Sequence, residues 1–271
     1  MTHVPHPGGP FATATAVTPT GTDSWSATIA PGWDIAGNAN GGYLLAIGAR
    51  ALVLATGRPD PVTVTGHFLA PGRPGPVAVT TAVHKQGRRF ATGSALLEAD
   101  GKPLLSVLGT CGDLGHEYDD LLVDGAPPDL PPEDGCVLVV PTDTFPPPFM
   151  GRVELRIHPE DVRSATGERS GVAQVRGWFR LPHDEPVDTL ALVCALDAFP
   201  PTIFNTDLPV GWVPTVEFTT HVRARPAPGP LRCRFTTRYV TGGFLEEDGD
   251  IWDGRGRLVA QSRQLALVPL A

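Results

Sequence analysis

The pattern of hydrophobic and polar residues predicts a long buried helix in the first third of the chain. The segment GGYLLAIGARALVLAT, residues 41 to 56, is apolar on nearly every side and carries one charged residue, Arg50. A helix that is hydrophobic all round belongs inside a core. Two short alternating segments, about 11 to 17 and 24 to 29, precede this helix and predict strands.

Four further strands are predicted after the helix. They cover about 62 to 70, 76 to 84, 89 to 98 and 103 to 111, and the clusters PGRPG, KQGR and ADGK that separate them are typical of turns. The predicted order is therefore two strands, one helix and four strands. Residues 113 to 150 are rich in Pro, Asp and Gly, a composition that suits a linker crossing a surface.

The same order of elements recurs beyond this linker. Two predicted strands, a predicted apolar helix and four more predicted strands lie near 152 to 157, 172 to 181, 187 to 199, 214 to 224, 230 to 240, 243 to 252 and 257 to 268. A long repeat that occurs twice indicates a duplicated domain, because solenoids need three or more short units.

A local sequence similarity between the two halves supports the duplication. PVTVTGHFLAPGRPGP begins at Pro61 and PTVEFTTHVRARPAPGP begins at Pro214. With small gaps of one or two residues at turns, Thr63 pairs with Thr215 and the two Pro-Gly-Pro stretches coincide. One apolar helix beside an antiparallel sheet is expected to be wrapped by that sheet. We therefore predict an α+β double hotdog, with its sheets joined edge to edge. Its parts are an N-terminal hotdog (1–112), a Pro-rich linker (113–150) and a C-terminal hotdog (151–271).

Composition limits the possible partners and surroundings. The net charge of -8 gives no electrostatic footprint for nucleic acid. The longest apolar stretch is shorter than a membrane span, and the first residues lack a signal-peptide pattern, so we expect a cytoplasmic protein with no membrane partner. The four cysteines are scattered without a CxxC pair, which predicts reduced, mostly buried thiols and neither a metal site nor a disulfide framework.

The second predicted helix carries a carboxylate in apolar surroundings. Asp197 stands in LVCALDAFPP, and Pro200 and Pro201 end the helix after it. A buried carboxylate loses hydration unless it is paired, hydrogen-bonded or protonated. Two roles are open at this point: a structural hydrogen bond to backbone in the following turn, or catalysis.

Two more polar positions are candidates. In RLVAQSRQLALV the even positions are mostly small or apolar, so Gln264 is predicted on the inward face of the last strand, with Thr110 as its approximate counterpart in the first copy. Thr215 has the opposite parity from Phe218 and by itself fits ordinary strand propensity. The start of the first helix, Asn40-Gly41-Gly42, is either a turn that needs glycine or a site for an anion.

With these residues in view, the chain resembles the acyl-CoA thioesterase II (TesB-like) double-hotdog thioesterases over nearly its whole length. NANGGYLLAIGARAL resembles the family's Gly-Gly segment leading into the first helix, and GHFLAPGRPGPV resembles its strand ending in a Pro-Gly turn. ALDAF, PTVEFTTH and LVAQSRQ fall where the family carries an Asp, a Thr or Ser, and a Gln. Their order and spacing on a duplicated frame make the resemblance fairly specific.

The resemblance implies hydrolysis of a fatty or related acyl-CoA thioester, or of an acyl-carrier thioester, without a cofactor. Asp197, Thr215 and Gln264 would jointly hold the attacking water, and backbone N–H groups at Gly41, Gly42 and Tyr43 would polarise the thioester carbonyl. The family also implies a homo-oligomer.

Two arginines, Arg88 and Arg89 in HKQGRRF, either meet the phosphates of CoA or are simply solvated in a hairpin turn. Two other functions remain open: hydration or dehydration of an acyl thioester, and binding of an acyl thioester or carrier protein without hydrolysis. The first copy has no Asp on its helix, so one working site per chain is expected.

Overall fold

The computed structural model describes residues 9–116, 122–143, 145–162, 168–209 and 211–268. Within these ranges the α-helices are α1 (Pro10–Ala14), α2 (Gly41–Thr56) and α3 (Thr189–Ala195). The strands are β1 (Thr18–Pro19), β2 (Ser24–Ile29), β3 (Asp34–Ile35), β4 (Asn38–Ala39), β5 (Asp60–Phe68), β6 (Gly75–Gln86), β7 (Ala91–Ala99), β8 (Lys102–Gly112), β9 (Val137–Leu138), β10 (Glu154–Ile157), β11 (Gln174–Arg180), β12 (Thr215–Val222), β13 (Leu231–Thr236), β14 (Val240–Thr241), β15 (Phe244–Trp252) and β16 (Leu258–Leu267).

One continuous antiparallel sheet contains all the strands except the small β3–β4 pair. Its order is β1-β2-β6-β7-β8-β5-β12-β16-β15-β13-β11-β10-β9, and β14 pairs with β15 beside this path. The order β2-β6-β7-β8-β5 is repeated in reverse as β11-β13-β15-β16-β12. Each half therefore uses equivalent strands in equivalent places, which confirms the predicted double hotdog.

The two halves meet where β5 pairs with β12, and Gly66 lies opposite Phe218 at this junction. The concave side of the sheet packs against α2 and α3, and residues of both helices and both halves share one hydrophobic core. Edge-to-edge joining leaves neither central strand with an open edge.

Helix α2 begins and ends where the apolar pattern predicted. The Asn40 side chain caps it, because Asn40 Oδ1 accepts a hydrogen bond from Tyr43 N at 2.9 Å. Gly57 stops it in the left-handed conformation, with φ 64°. Leu45, Ile47 and Leu52 are fully buried, as expected for a core helix.

The prediction of a strand over 11 to 17 was wrong. The structure has the short helix α1 here, with Pro10 in its first turn. A carboxylate from the other half stabilises its start, because Phe11 N and Ala12 N both donate to Glu185 at 2.9 Å. This long-range cap outweighs the strand-like alternation of the local sequence.

Helix α3 is shorter than the predicted 187 to 199. Asp188 caps its start by accepting from Ala191 N at 2.7 Å, and the helix ends at Ala195. Asp197 therefore lies in the turn after the helix, where Asp197 N donates to Cys194 O at 3.1 Å. The strands of the second half begin and end within a few residues of their predicted limits.

Within the predicted linker, the described residues form β9 and two short 3-10 turns, Glu133–Gly135 and Pro148–Gly151. Phe149 is fully buried and meets the ring of Trp33 at a centroid distance of 6.1 Å. This segment thus packs into the core near its end. The exact division at residues 112 and 150 stays a prediction.

All four cysteines are buried free thiols, as the sequence predicted. No helix in the described ranges has both the length and the apolar character needed to cross a membrane.

Candidate active site

A cavity of about 640 Å³ opens where the start of α2, the turn after α3 and the strands of the second half meet. Its wall is mainly apolar, and Leu44, Phe68 and Phe204 belong to it. Its polar side chains in the described ranges are Asn38, Asn40, Asp197, Thr215, Glu247 and Gln264. Polar groups gathered in an apolar pocket are typical of a binding or catalytic site.

The start of α2 holds the Asp197 carboxylate. Gly42 N donates to Asp197 Oδ2 at 2.7 Å, and Asn40 Nδ2 donates to the same oxygen at 3.0 Å. Asn40 Nδ2 also reaches the Asp197 main-chain oxygen at 2.8 Å. The N-terminus of a helix favours an anion, so a carboxylate from the second half is bound by the helix of the first.

This contact explains the glycine at position 42. A Cβ there would lie 2.7 Å from Asp197 Cβ and 3.0 Å from the main-chain oxygen of Cys194. Only glycine lets the start of α2 approach the end of α3 this closely.

Burial dominates the electrostatics of Asp197. Desolvation raises the pKa of its carboxyl to about 6, although the hydrogen bonds from Gly42, Asn40 and Gly41 act to lower it. A carboxylate with a pKa just below neutral is ionised at physiological pH and basic enough to accept a proton from water.

A β-bulge turns Thr215 toward the cavity. Thr215 pairs with Ala266 and Glu217 pairs with the adjacent Leu265, so Val216 is the extra residue. Thr215 consequently shares the concave face with Phe218, although simple alternation placed the two on opposite faces. A bulge has no strong sequence signal, so residue parity could not have revealed this orientation.

Gln264 faces the cavity, as its position in the last strand predicted. It lies opposite Phe218 in the β12–β16 ladder, and its Nε2 donates to Thr215 Oγ1. Asp197, Thr215 and Gln264 therefore line one cavity from three separate segments.

The three expected oxyanion donors are differently placed. Gly41 lines the cavity, but its N–H group, like that of Gly42, is directed to Asp197, and Tyr43 N donates to Asn40. The Tyr43 ring stacks on Trp33 at 4.7 Å, and its hydroxyl donates to Ala14 O at 2.8 Å. The side chain of Tyr43 is thus part of the core.

Arg88 and Arg89 lie in the exposed turn between β6 and β7, outside the cavity wall. Contacts to the last turn of α2 fix this region, since Gln86 Nε2 donates to Thr56 O at 3.1 Å. A helix of 16 residues is about 24 Å long, which separates this turn from the cavity at the other end of α2. A contact of these arginines with CoA phosphates stays a prediction, and this placement gives it no support.

The sequence analysis missed one cavity residue, Glu247. Its Oε2 accepts from Thr202 N at 2.8 Å. Burial, with the negative charge of Asp197 as a smaller cause, raises the pKa of Glu247 to about 7. The alternation of β15 contained the signal, because Glu247 has the same parity as the buried residues Leu245 and Ile251.

The bulges also correct the alignment of the two copies. β5 has its bulge between Pro61 and Thr63, and β12 has its bulge between Thr215 and Glu217. Superposing them places Thr215 on Pro61, two residues from the expected match with Thr63. The two Pro-Gly-Pro stretches, which begin at Pro74 and Pro228, are separated by the same number of residues as Pro61 and Thr215.

The corrected alignment also gives Gln264 a new counterpart. Gln264 pairs with Phe218, and the equivalent pair in the first copy is Gly109 with Val64. Gln264 therefore corresponds to Gly109 and not to Thr110. The first copy offers neither a hydroxyl nor an amide at these two positions, in keeping with one site per chain.

Comparison with known proteins places the chain in a family. Residues 29–112 match the model of the acyl-CoA thioesterase N-terminal domain, and residues 123–268 match that of the C-terminal domain. An uncharacterised protein of Mycobacterium tuberculosis is 30% identical over 260 residues, which cover 88% of each chain.

Solved structures agree with this assignment. A candidate thioesterase II from Thermobifida fusca has a TM-score of 0.88 and 33% identity, covering 98% of this chain and 99% of that one. A hot dog protein of unknown function from Alicyclobacillus acidocaldarius has a TM-score of 0.84 and 21% identity, covering 97% and 99%, and supports the fold alone. The chain therefore belongs to the acyl-CoA thioesterase family and is a double-hotdog thioester hydrolase.

Proposed function

We propose that the chain hydrolyses acyl-CoA thioesters by direct attack of a water molecule held by Asp197, Thr215 and Gln264. The observation that carries this proposal is the convergence of these three side chains in one largely apolar cavity. Only Asp197 among them can act as a base near neutral pH, and burial gives its carboxyl a suitable pKa of about 6.

The residue types fit the individual events of the reaction. The Asp197 carboxylate accepts a proton as the water oxygen bonds to the thioester carbon. The Thr215 hydroxyl and the Gln264 amide orient the water, which lowers the entropic part of the barrier. The C–S bond then breaks, and the CoA thiolate leaves and takes up the proton, so the products are a carboxylic acid and CoA.

The start of α2 favours the negative charge of the transition state. The partial positive charge of this helix end acts on the thioester oxygen as well as on Asp197, and Gly41 is the part of it that lines the cavity. Because Gly42 N is bound to Asp197, its direct role is to position the base.

The apolar wall favours a fatty or related acyl chain as the group transferred to water. Phe68, Phe204 and Leu245 supply surfaces that a methylene chain can cover. The thiol carrier is CoA in this proposal, and an acyl-carrier protein is its alternative.

The direct test is release of free thiol across a series of acyl-CoA chain lengths. Asp197→Asn preserves the shape of the side chain but cannot accept the proton, so we expect kcat to fall by roughly 10²- to 10⁴-fold. Asp250→Asn is the matched control, because Asp250 lies on β15 but binds Arg234 at 2.8 Å, away from the cavity wall.

Three outcomes would contradict this function. Unchanged turnover in Asp197→Asn would remove the base. A change in enoyl-CoA absorbance without free thiol would indicate hydration. Calorimetric binding of acyl-CoA with no CoA released on long incubation would indicate a binding protein.

A further inference from the structure

The concave face of the second half carries a polar strip, formed by Thr215, Gln264 and Glu247. Thr215 and Gln264 are joined by a hydrogen bond, and Gln264 and Glu247 are direct partners in the β15–β16 ladder. All three line the cavity. Direct antiparallel partners have Cβ atoms about 4.5–5.5 Å apart, so the Glu247 carboxyl can reach the Gln264 amide.

The surroundings of Glu247 disfavour its charged form. Asp197 and Glu247 are the ionisable side chains on the described cavity wall, and no cation lies on that wall to pair with them. On its other side Glu247 accepts a hydrogen bond from Thr202 N, which lowers its pKa but is outweighed by burial. Glu246, the neighbouring acid on β15, is directed to Arg238 and adds negative charge. Two carboxylates in one apolar cavity repel each other, which favours a state in which one of them keeps its proton.

We propose that Glu247 is a positioning residue for hydrolysis, which keeps its proton while Asp197 is ionised and donates it in a hydrogen bond to Gln264 Oε1. This inference rests on the proposed function. Gln264 Nε2 donates to Thr215 Oγ1, so the amide oxygen points away from Thr215 and is available to accept from another donor. A protonated carboxyl on the next strand is such a donor.

The strip then orients the attacking water. Thr215 Oγ1 accepts from Gln264, which leaves the Thr215 hydrogen to be donated to the water, while the water's own hydrogen faces Asp197. If Glu247 ionises, it offers only acceptors to Gln264 Oε1, and the amide loses its fixed orientation.

The expected pH dependence follows from the two carboxyls. Asp197 must be ionised, which requires a pH above its pKa of about 6, and Glu247 must be protonated, which requires a pH below its pKa of about 7. The kcat/KM of the wild type should therefore rise and then fall across this range. The two apparent values belong to the pair.

The test compares kcat/KM profiles of the wild type, Glu247→Gln, Glu247→Ala and Asp250→Asn. Glu247→Gln keeps a donor and cannot ionise, so we expect activity within about threefold of wild type at pH 6.5 and no decline by pH 8.5, where wild type falls at least about tenfold. Glu247→Ala should lie at least about tenfold below the wild type at pH 6.5 with no further decline toward pH 8.5, and Asp250→Asn should follow the wild type. A Glu247→Gln profile with the wild-type decline, or one as low as that of Glu247→Ala, overturns the proposal.

Infrared difference spectra of the substrate-free protein separate this inference from the proposed function. At pH 6.5 the wild type and Asp250→Asn should show a protonated carboxyl band that is much weaker in Glu247→Gln, where only the minor protonated fraction of Asp197 contributes. If no acyl-CoA is hydrolysed, the function fails while the difference in the band still reports on Glu247. If thiol is released but the band is as strong in Glu247→Gln as in the wild type, the positioning role fails alone.

Discussion

At the scale of single residues, the site depends on one close contact between the halves. Gly42 lets α2 begin directly against Asp197. The hydrogen bond from Gly42 N to Asp197 Oδ2, at 2.7 Å, is shorter than the one from Asn40 Nδ2 to the same oxygen, at 3.0 Å. The hydrogen bond from Gly42 by itself lowers the pKa of Asp197, and burial of the carboxyl between the two halves outweighs it and makes the carboxylate a stronger base.

Gly42→Ala should therefore damage both stability and activity. Alanine is a better helix former by about 1 kcal/mol, but its Cβ would clash with Asp197 and with the rigid main chain at Cys194. We expect a net loss of about 1–3 kcal/mol in the free energy of unfolding, and at least about tenfold in kcat, because the base is displaced.

Urea denaturation and thiol release measure these two effects. Gly21→Ala is the control, since a Cβ at Gly21 would make only an ordinary contact, 3.6 Å from Ser24 Cβ. A Gly42→Ala protein with wild-type turnover would show that the contact does not position the base.

At the scale of elements, periodicity predicted more than local strand preference did. The apolar run of α2 gave its position, and alternation gave most strands of both halves. It failed where partners distant in sequence decide the structure: Glu185 turns residues 10–14 into a helix. It also failed at the bulge of β12, where one extra residue reverses the direction of Thr215.

The candidate site was predictable only where local sequence patterns decide the position of a residue. Asp197 and Gln264 were visible as polar residues in apolar surroundings. The capture of Asp197 by Asn40 and Gly42 joins segments more than 150 residues apart, and no local pattern encodes it.

The cap of α1 gives a prediction at this scale. Glu185→Ala removes the acceptor of Phe11 N and Ala12 N, so we expect a loss of about 1–2 kcal/mol in the free energy of unfolding. Thermal or urea denaturation checks it, with thiol release expected to stay near the wild-type rate. Glu185→Gln should recover part of the loss, since its amide oxygen can still accept one bond. Equal stability in all three proteins would mean that α1 forms without this cap.

At the scale of the whole molecule, the two equivalent places at opposite ends of the α2–α3 helix pair carry different groups. One end binds Asp197 at the start of α2. At the other end, near the start of α3, the buried Asp60 accepts from Thr189 Oγ1 at 2.9 Å and pairs with Arg225 at 2.8 Å. The place equivalent to the active site is thus filled by an ion pair that joins the halves.

This ion pair should contribute to stability without affecting catalysis. Arg225→Ala leaves the Asp60 charge buried beside Thr189, so we expect a loss of about 2 kcal/mol in the free energy of unfolding, below the range of about 3–5 kcal/mol for fully buried pairs because the Arg225 side chain is 40% exposed. Adding Asp60→Asn to Arg225→Ala should restore part of it, since the uncompensated charge is gone. Denaturation curves of the single and double variants measure this coupling. A double variant less stable than Arg225→Ala would show that the penalty is not one of unpaired charge.

The hydrogen bonds from the start of α2 to Asp197 limit how the two halves can evolve separately. Because one copy supplies the acid and the other supplies the donors that hold it, neither copy is a complete catalyst. A gene encoding either half alone would yield an inert protein, and activity would return only when the two fragments assembled. Neither half can therefore be lost without loss of activity, because the fused copies have become complementary parts of one site.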